Sequence, residues 1–409
     1  MPALNLAWPA EGLTRVPYEL YAREDVYEAE RERLFMGATW NYLCLEAEIP
    51  APGDYRATHV GDVSVVVARD MDGRLHAFEN RCAHRGALIC HKAGGNGARI
   101  SCIYHSWTYD LEGNLTAVPF QRGVEGKGGM GPGFRLADHK RRALKIESLA
   151  GIVFGSFAPE TPPLADYLGP EITARIKRVM PRPVKLLGYN SQILPNNWKL
   201  YFGNVKDPYH ASLLHAFFTT FRINRLSAKG GIIIDESGSH HVSFSQMATD
   251  RTSADYDRED IRSRRDGFRL TDPSMLEGRD EFGDGITLQI LSIFPAFVMQ
   301  QIQNSLCVRQ IVPRGINETE LIWIYYGFAD DDEAMVEQRC KQANLVGPGG
   351  YISMEDGVVG SLIRRGITGA QQDKEVVEMG GSGYASQETR ATESPLRGFW
   401  HAYRRHMQL

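Results

Sequence analysis

Two periods divide the chain. Between Tyr18 and Phe35 an acidic, arginine-rich stretch carries Leu20, Val26, Tyr27, Leu34 and Phe35 at near-helical spacing, which predicts a surface helix packing by one stripe. From Trp40 to about Phe157 the texture changes to short strands and turns. Val63 to Ala68 and Leu75 to Phe78 flank Asp72-Gly73, a hairpin signal because glycine tolerates the positive φ of such turns. Tyr109 to Leu115 repeats the texture, and Gly126 to Gly133, with five glycines and a proline, reads as a loop. This block has the pattern of a small all-β domain.

Pro159, Pro162 and Pro163 mark a boundary. Beyond it, helical patterns cover Leu164 to Met180 and the region from Pro208 to Phe221. Strand patterns follow at Gly230 to Asp235, His240 to Ser245, Thr287 to Ile293, Ser305 to Val312 and Glu320 to Phe328. Asp331 to Leu345 and Pro395 to Met407 return to helical spacing. Strands followed by a closing helix predict an α+β layer, a curved antiparallel sheet wrapped on a long C-terminal helix. The expected division is an N-terminal helical segment, 1–38, belonging with the last part; an all-β domain, 39–158; and an α+β domain, 159–409.

Composition narrows the classes. At roughly 150 residues per domain, 409 residues suit two or three domains. Lysine and arginine number 46 against 50 acids, a net charge of −4, so no basic field collects phosphate backbones and nucleic acid is not an expected partner. The longest apolar run, Ile286 to Phe297, is broken by Gln289, Ser292 and Pro295, short of the roughly 18 residues of a membrane span. Met1 to Asn5 shows no basic segment leading into an apolar core, so the expected location is cytoplasmic. Six cysteines in this length are too few for a disulfide scaffold, and cysteines near histidines raise metal binding instead.

Cys82-Ala83-His84 is followed, 17 residues on, by Cys102-Ile103-Tyr104-His105. A zinc finger usually groups its cysteines before its histidines. The order Cys, His, Cys, His suits a [2Fe–2S] cluster with two thiolates on one iron and two imidazoles on the other. Both pairs fall at strand–turn positions where two loops could pinch a cluster, and Trp107 could shield it from water. A structural zinc site is the competing reading.

A second group lies in Asn204-Val205-Lys206-Asp207-Pro208-Tyr209-His210, with His215 five residues further on. On a regular helix these histidines diverge by about 140°. A local π-type widening would bring them together. Two histidines and one carboxylate with open positions form the facial triad of non-haem Fe(II) oxygenases. Core packing of a histidine pair in an apolar stretch is the plainer alternative.

The two Cys-His pairs, followed by Asn-Val-Lys-Asp-Pro-Tyr-His and His215, resemble the large (α) subunits of Rieske non-haem iron aromatic-ring hydroxylating dioxygenases, over nearly the whole chain. The resemblance implies a Rieske [2Fe–2S] cluster on Cys82, His84, Cys102 and His105. It implies a mononuclear Fe(II) on His210, His215 and a late aspartate. Gly347-Pro348-Gly349-Gly350-Tyr351 precedes Glu355-Asp356, and alignment with the family selects Asp356; composition alone could not choose it over Glu355. Asp207 matches the aspartate that bridges the cluster histidine of one subunit to the iron histidine of the next. Gly203 departs from the glutamate usual in relatives. The function implied is that of a terminal oxygenase α subunit. Such a subunit cis-dihydroxylates an aromatic ring with O2 and with NADH-derived electrons from a separate reductase, often beside a small β subunit as α3β3.

Arginines near an apolar pocket would mark a carboxylated substrate, because a guanidinium pairs a carboxylate bidentately. In Ser305 to Val312, alternation puts Cys307, Arg309 and Ile311 on one face. Arg309 is a candidate clamp, or else a strand arginine reaching solvent or an ion pair. Arg390, in Glu388-Thr389-Arg390-Ala391-Thr392, resembles an arginine of family members acting on dicarboxylated rings. Two clamps would suit a para-dicarboxylate and one a monocarboxylate. Ile290 and Phe294 are candidates for packing on the ring. An electron-transfer protein would need only the cluster, and a zinc-stabilised binding module neither iron nor oxygen.

Overall fold

The computed structural model describes residues 4–221, 223–246, 256, 258–259, 261–264 and 267–409. It forms two compact units, Phe35–Leu164 and the combination of Met1–Leu34 with Ala165–Leu409.

The Phe35–Leu164 unit is built from three small antiparallel sheets. The hairpin at Asp72-Gly73 joins strands Val63–Arg69 and Leu75–Glu79, with Gly73 at φ +85°. A second sheet runs Arg99–Ser101, Thr108–Asp110, Leu115–Ala117. Between these sheets Val66, Phe78, Ile89, Ile100, Trp107, Tyr109 and Leu115 form one core, to which Cys82 and Cys102 belong. The two Cys-His loops are therefore anchored at their cysteines by burial.

The larger unit centres on a seven-stranded antiparallel sheet. Its order is Val184–Leu194, Thr319–Phe328, Ser305–Pro313, Phe297–Ile302, Ile286–Ile293, His241–Gln246, Gly230–Ile234. The long C-terminal helix Ser394–Met407 buries Phe399, Trp400 and Tyr403. Phe399 meets Trp198, Phe202 and Phe294 edge-on or tilted at 5.4–6.2 Å. The N-terminal helical stretch is pinned by one buried acid. Glu30 accepts from Trp198 Nε1 (2.8 Å) and Tyr403 Oη (2.5 Å) and pairs with Lys199 Nζ (2.6 Å).

Two strands of this sheet and two helices beside it, among the described residues, lie outside the expected set. Val184–Leu194 has little apolar alternation because it is an edge strand with Tyr189 and Ile193 exposed. Phe297–Ile302 is buried throughout, and its polar Gln300 and Gln301 obscure the strand pattern. Helices Trp198–Lys206 and Tyr351–Gly366 were hidden by glycines, at 203 and at 357 and 360, that weaken a helical reading. Among the described residues no helix is long and apolar enough to cross a membrane.

Candidate active site and metal centres

The two Cys-His loops are the same turn used twice. In the first, Cys82 N–H bonds Ala87 O (2.8 Å) and Gly86 N–H bonds Cys82 O (3.0 Å). In the second, Cys102 N–H bonds Trp107 O (2.9 Å) and Ser106 N–H bonds Cys102 O (2.9 Å). Each loop needs a left-handed residue at its fifth position, Gly86 at φ +78° and Ser106 at φ +55°. The repeated closure holds both cysteines inward and sends both histidines outward. His84 Nδ1 and His105 Nδ1 face one another at 3.2 Å, with ring planes 74° apart.

Four soft or borderline donors thus converge from two loops, thiols on the buried side and imidazoles on the exposed side, which fits the ligand set of a Rieske cluster. Trp107 stacks flat on His84 (4.8 Å, 10°), and Tyr109 Oη, which accepts Ala83 N–H at 2.9 Å, reaches Cys82 Sγ at 3.4 Å. A different group in this unit, Asp70, His76 and Glu112, also lies close enough to hold an ion. It is already closed by His76 Nε2 on Asp70 Oδ2 (2.8 Å) and by Asp72 and Arg74 N–H on Asp70 Oδ1.

The second centre is assembled at a helix end. Asn197 caps helix Trp198–Lys206 by accepting Lys199 N–H (3.1 Å). Pro208 disfavours helical geometry in the residue before it, and Asp207 duly turns out at ψ +97°. Asp207 Oδ1 then accepts Tyr209 N–H (2.8 Å), with His210 N–H near it at 3.4 Å, and so starts a new turn. The expected π-type widening is not what joins the histidines. The helix Ala211–Leu214 is a single turn that stops at His215, whose ψ of +104° is extended, before Ala216–Phe221 begins. His210 and His215 flank that turn with ring centroids 5.4 Å apart.

Asp356 arrives from helix Tyr351–Gly366. A Cβ at Gly360 would lie 2.1 Å from Asn196 Nδ2, and one at Gly357 would lie 3.1 Å from Leu194, so two glycines one turn apart let this helix close on the capping segment. Asp356 Oδ1 lies 3.4 Å from both His210 Nε2 and His215 Nε2, and Asn204 Nδ2 donates to it at 3.1 Å. Ligand atoms cis to one another stand roughly 3 Å apart when metal bonds are about 2.1 Å. One ligand atom from each of the three lies within 4.8 Å of the other two, close enough to hold one ion. Burial opposes charge on His210, yet Asp207 and Asp356 beside it push its pKa up to about 10. Burial would raise Asp356, but His215 and His210 hold it below its usual value.

Beside the triad a cavity opens to solvent, lined by His210, His215 and Asp356 together with Arg309, Arg390 and Ile290. Sheet register explains the wall. Ser243, Ile290, Gln300 and Cys307 are successive cross-strand partners, so Arg309, two residues from Cys307, shares their face. Phe218, Leu288, Ile302, Val346 and Ile352 supply the apolar part.

Arg309 is 5% exposed, donates to Tyr201 Oη (2.6 Å) and lies over the Trp323 ring (4.7 Å), while its Nε has no partner. Arg390 is 2% exposed, donates to Asn224 Oδ1 and the Arg225 carbonyl, and also leaves Nε unpartnered. Burial lowers its pKa to about 10. Neither guanidinium has a carboxylate at ion-pair distance among the described residues. Burying a cation costs several kcal/mol, and here neutral partners meet it: Tyr201 Oη and the Trp323 ring for Arg309, Asn224 Oδ1 and the Arg225 carbonyl for Arg390.

Phe294 does not line this cavity. It follows strand Ile286–Ile293, is fully buried, stacks on His406 (5.1 Å) and gives its carbonyl to Tyr167 Oη (2.9 Å). One residue past the strand's alternation, its side chain packs in the aromatic core instead. Sequence reasoning passed over Asn204, Gln300, Ser243 and Trp323. Gln300 and Ser243 were legible only through their register with Ile290, which needs the sheet order. Gly203 lines a neighbouring cavity whose walls carry Glu375 and Glu393, so acids remain there without one at 203.

Residues 39–127 match the Rieske [2Fe-2S] domain family, and residues 173–409 match the ring hydroxylating alpha subunit catalytic domain family. The chain is 53% identical to the terephthalate 1,2-dioxygenase terminal oxygenase component subunit alpha 2 of Comamonas sp, over 98% of this chain and 97% of that one. It is 45% identical to the anthranilate 1,2-dioxygenase large subunit of Burkholderia cepacia, over 99% and 96%. Among solved structures it resembles naphthalene 1,2-dioxygenase from Rhodococcus sp. bound to indole, with a TM-score of 0.79 and 22% identity over 96% of this chain and 94% of the other.

Proposed function

We propose, because this chain belongs to the α subunits of Rieske aromatic-ring hydroxylating dioxygenases, that its substrate is an aromatic ring bearing two carboxylates in para positions, namely terephthalate. Membership makes the chain an oxidoreductase of a multicomponent system, with a [2Fe–2S] cluster and a mononuclear iron as cofactors and electrons drawn from a reductase. When bound, the cluster supplies single electrons and the mononuclear iron activates O2 beside the ring.

The chain's own residues do the rest. Cys82, His84, Cys102 and His105 hold the cluster, and His210, His215 and Asp356 hold the iron. Asp207 fixes one carboxylate oxygen on the backbone and turns the other toward His210 Nδ1 (3.5 Å), where a link to the cluster histidine of a second copy would run. Arg309 and Arg390 each take one carboxylate and so lay the ring across the cavity, against Ile290 and the apolar wall. The product is a cis-dihydrodiol. A small β subunit in an α3β3 assembly and a cytoplasmic location belong to the same reading.

The observation that carries it is the pair of buried guanidiniums, without carboxylate partners among the described residues, on the wall of the cavity that holds the triad. Support also comes from the terephthalate relative, while the anthranilate relative favours the alternative of a monocarboxylate held by one clamp. NADH-coupled oxygen uptake, with reductase and β partner, across terephthalate, isophthalate, benzoate, anthranilate and salicylate decides between them. Terephthalate should lead, and Arg390→Ala should abolish its turnover while sparing benzoate. Equal loss on both substrates would count against two clamps.

A further inference from the structure

The two candidate iron histidines are held in different ways. Nδ1 of His210 lies 3.5 Å from Asp207 and makes no hydrogen bond. Nδ1 of His215 lies 2.9 Å from Glu355 Oε2, while Glu355 Oε1 faces Ala216 N–H at 3.3 Å. The carboxylate thus grips both the ring and the backbone that resumes the helix directly after it. His215 is 2% exposed, with Phe218 edge-on at 5.3 Å, and among the described residues Glu355 makes the one hydrogen bond to its ring.

We propose that Glu355 is a positioning residue for the iron, acting through His215. With a carboxylate oxygen 2.9 Å away as its acceptor, Nδ1 is the donor, and the lone pair is left on Nε2, the nitrogen that faces Asp356 at 3.4 Å. Glu355 and Asp356 are adjacent on one helix, and they divide the work. Asp356 faces the metal position, and Glu355 reaches past it to the back of the second imidazole. A carboxylate behind a ligating imidazole fixes the tautomer, aims the ring and makes Nε2 a stronger donor. The arrangement gives the iron one rigid histidine, His215. The other, His210, is backed by a looser carboxylate that remains free to engage elsewhere.

This inference rests on His210, His215 and Asp356 being the ligands, and the experiment separates the two. Iron affinity of the complete oxygenase is measured by chelator competition for wild type, Glu355→Gln, Glu355→Asp, Glu355→Ala and His215→Ala. Cobalt(II) absorption bands report ligand geometry, and the EPR signal of the Rieske cluster serves as the control for folding. Glu355→Gln keeps one neutral acceptor, enough for the ring or for Ala216 N–H but not both, and removes the charge. It should weaken iron binding about 10- to 100-fold, with the cluster signal unchanged. Glu355→Asp should fall between it and wild type, and Glu355→Ala should lose at least as much as Glu355→Gln. Wild-type affinity and unchanged cobalt bands in Glu355→Gln, beside a His215→Ala variant that has lost iron, would overturn the role of Glu355 alone. Full iron retention in His215→Ala would instead overturn the ligand assignment. Loss of the cluster signal in all three Glu355 variants would make the residue structural and also overturn the proposal.

Discussion

The two metal cradles differ in almost every respect. The cysteine–histidine cradle is local: two short loops with identical backbone closure, thiols in the core and imidazoles at the surface. The histidine–aspartate cradle is assembled from distant elements, His215 and the Glu355 that backs it standing 140 positions apart, and it lines a cavity. Each arrangement follows from what its metal must do. A centre that exchanges electrons with another surface needs its edge exposed, whereas one that activates oxygen beside a ring needs a water-poor pocket shaped by many elements.

The largest effect that could break this comparison comes from removing one cradle at a time. His105→Ala should abolish the Rieske EPR signal and leave the mononuclear iron in place, and Asp356→Ala should do the reverse, with turnover lost in both. Loss of both metals in either variant, read by metal analysis and EPR, would show that the cradles are not independent. Asp207→Asn comes next. If Asp207 carries the proposed link between histidines, the variant should retain both metals yet slow turnover on the order of 100-fold, because that group loses its charge; single-turnover oxidation of the reduced cluster checks it, and an unchanged rate would remove Asp207 from the link.

The smallest effect concerns stability alone. Lys206 is fully buried, donates to Ser239 O (3.1 Å), and burial pulls its pKa down to about 7, with Asp235 opposing. Between about pH 7 and its ordinary value near 10.5 the unfolded chain binds a proton that the folded one does not, so stability should rise with pH across that window. Lys206→Met should flatten this rise and increase the melting temperature near pH 7. A curve parallel to wild type would place the lysine's titration elsewhere.

How far the sequence reveals each cradle follows from the same contrast. Cys82, His84, Cys102 and His105 lie within 24 residues, and short spacing with the right donor order is enough to read a cluster. On a regular helix the His210–His215 spacing argues against a shared ion unless the turn widens, and the join came instead from a helix break at His215, because the backbone there turns extended. Asp356 was reached only through family resemblance. The approach of its helix depends on glycines at 357 and 360, whose role shows only against Leu194 and Asn196. Arg309 was legible from alternation along one strand. Gln300 and Ser243 were not, since cross-strand register is a property of the sheet and not of any single segment. Phe294 marks the limit of that reasoning: one step past the strand end, alternation no longer says which way a ring points.

The most direct measurement is iron and acid-labile sulfide per α chain in anaerobically purified oxygenase, taken with EPR before and after Asp356→Ala. One [2Fe–2S] cluster plus one further iron is expected, with the substitution removing that single iron and leaving sulfide and the Rieske signal intact. Zinc in place of iron, absence of sulfide, or an iron content unmoved by the substitution would contradict the assignment of two separate centres.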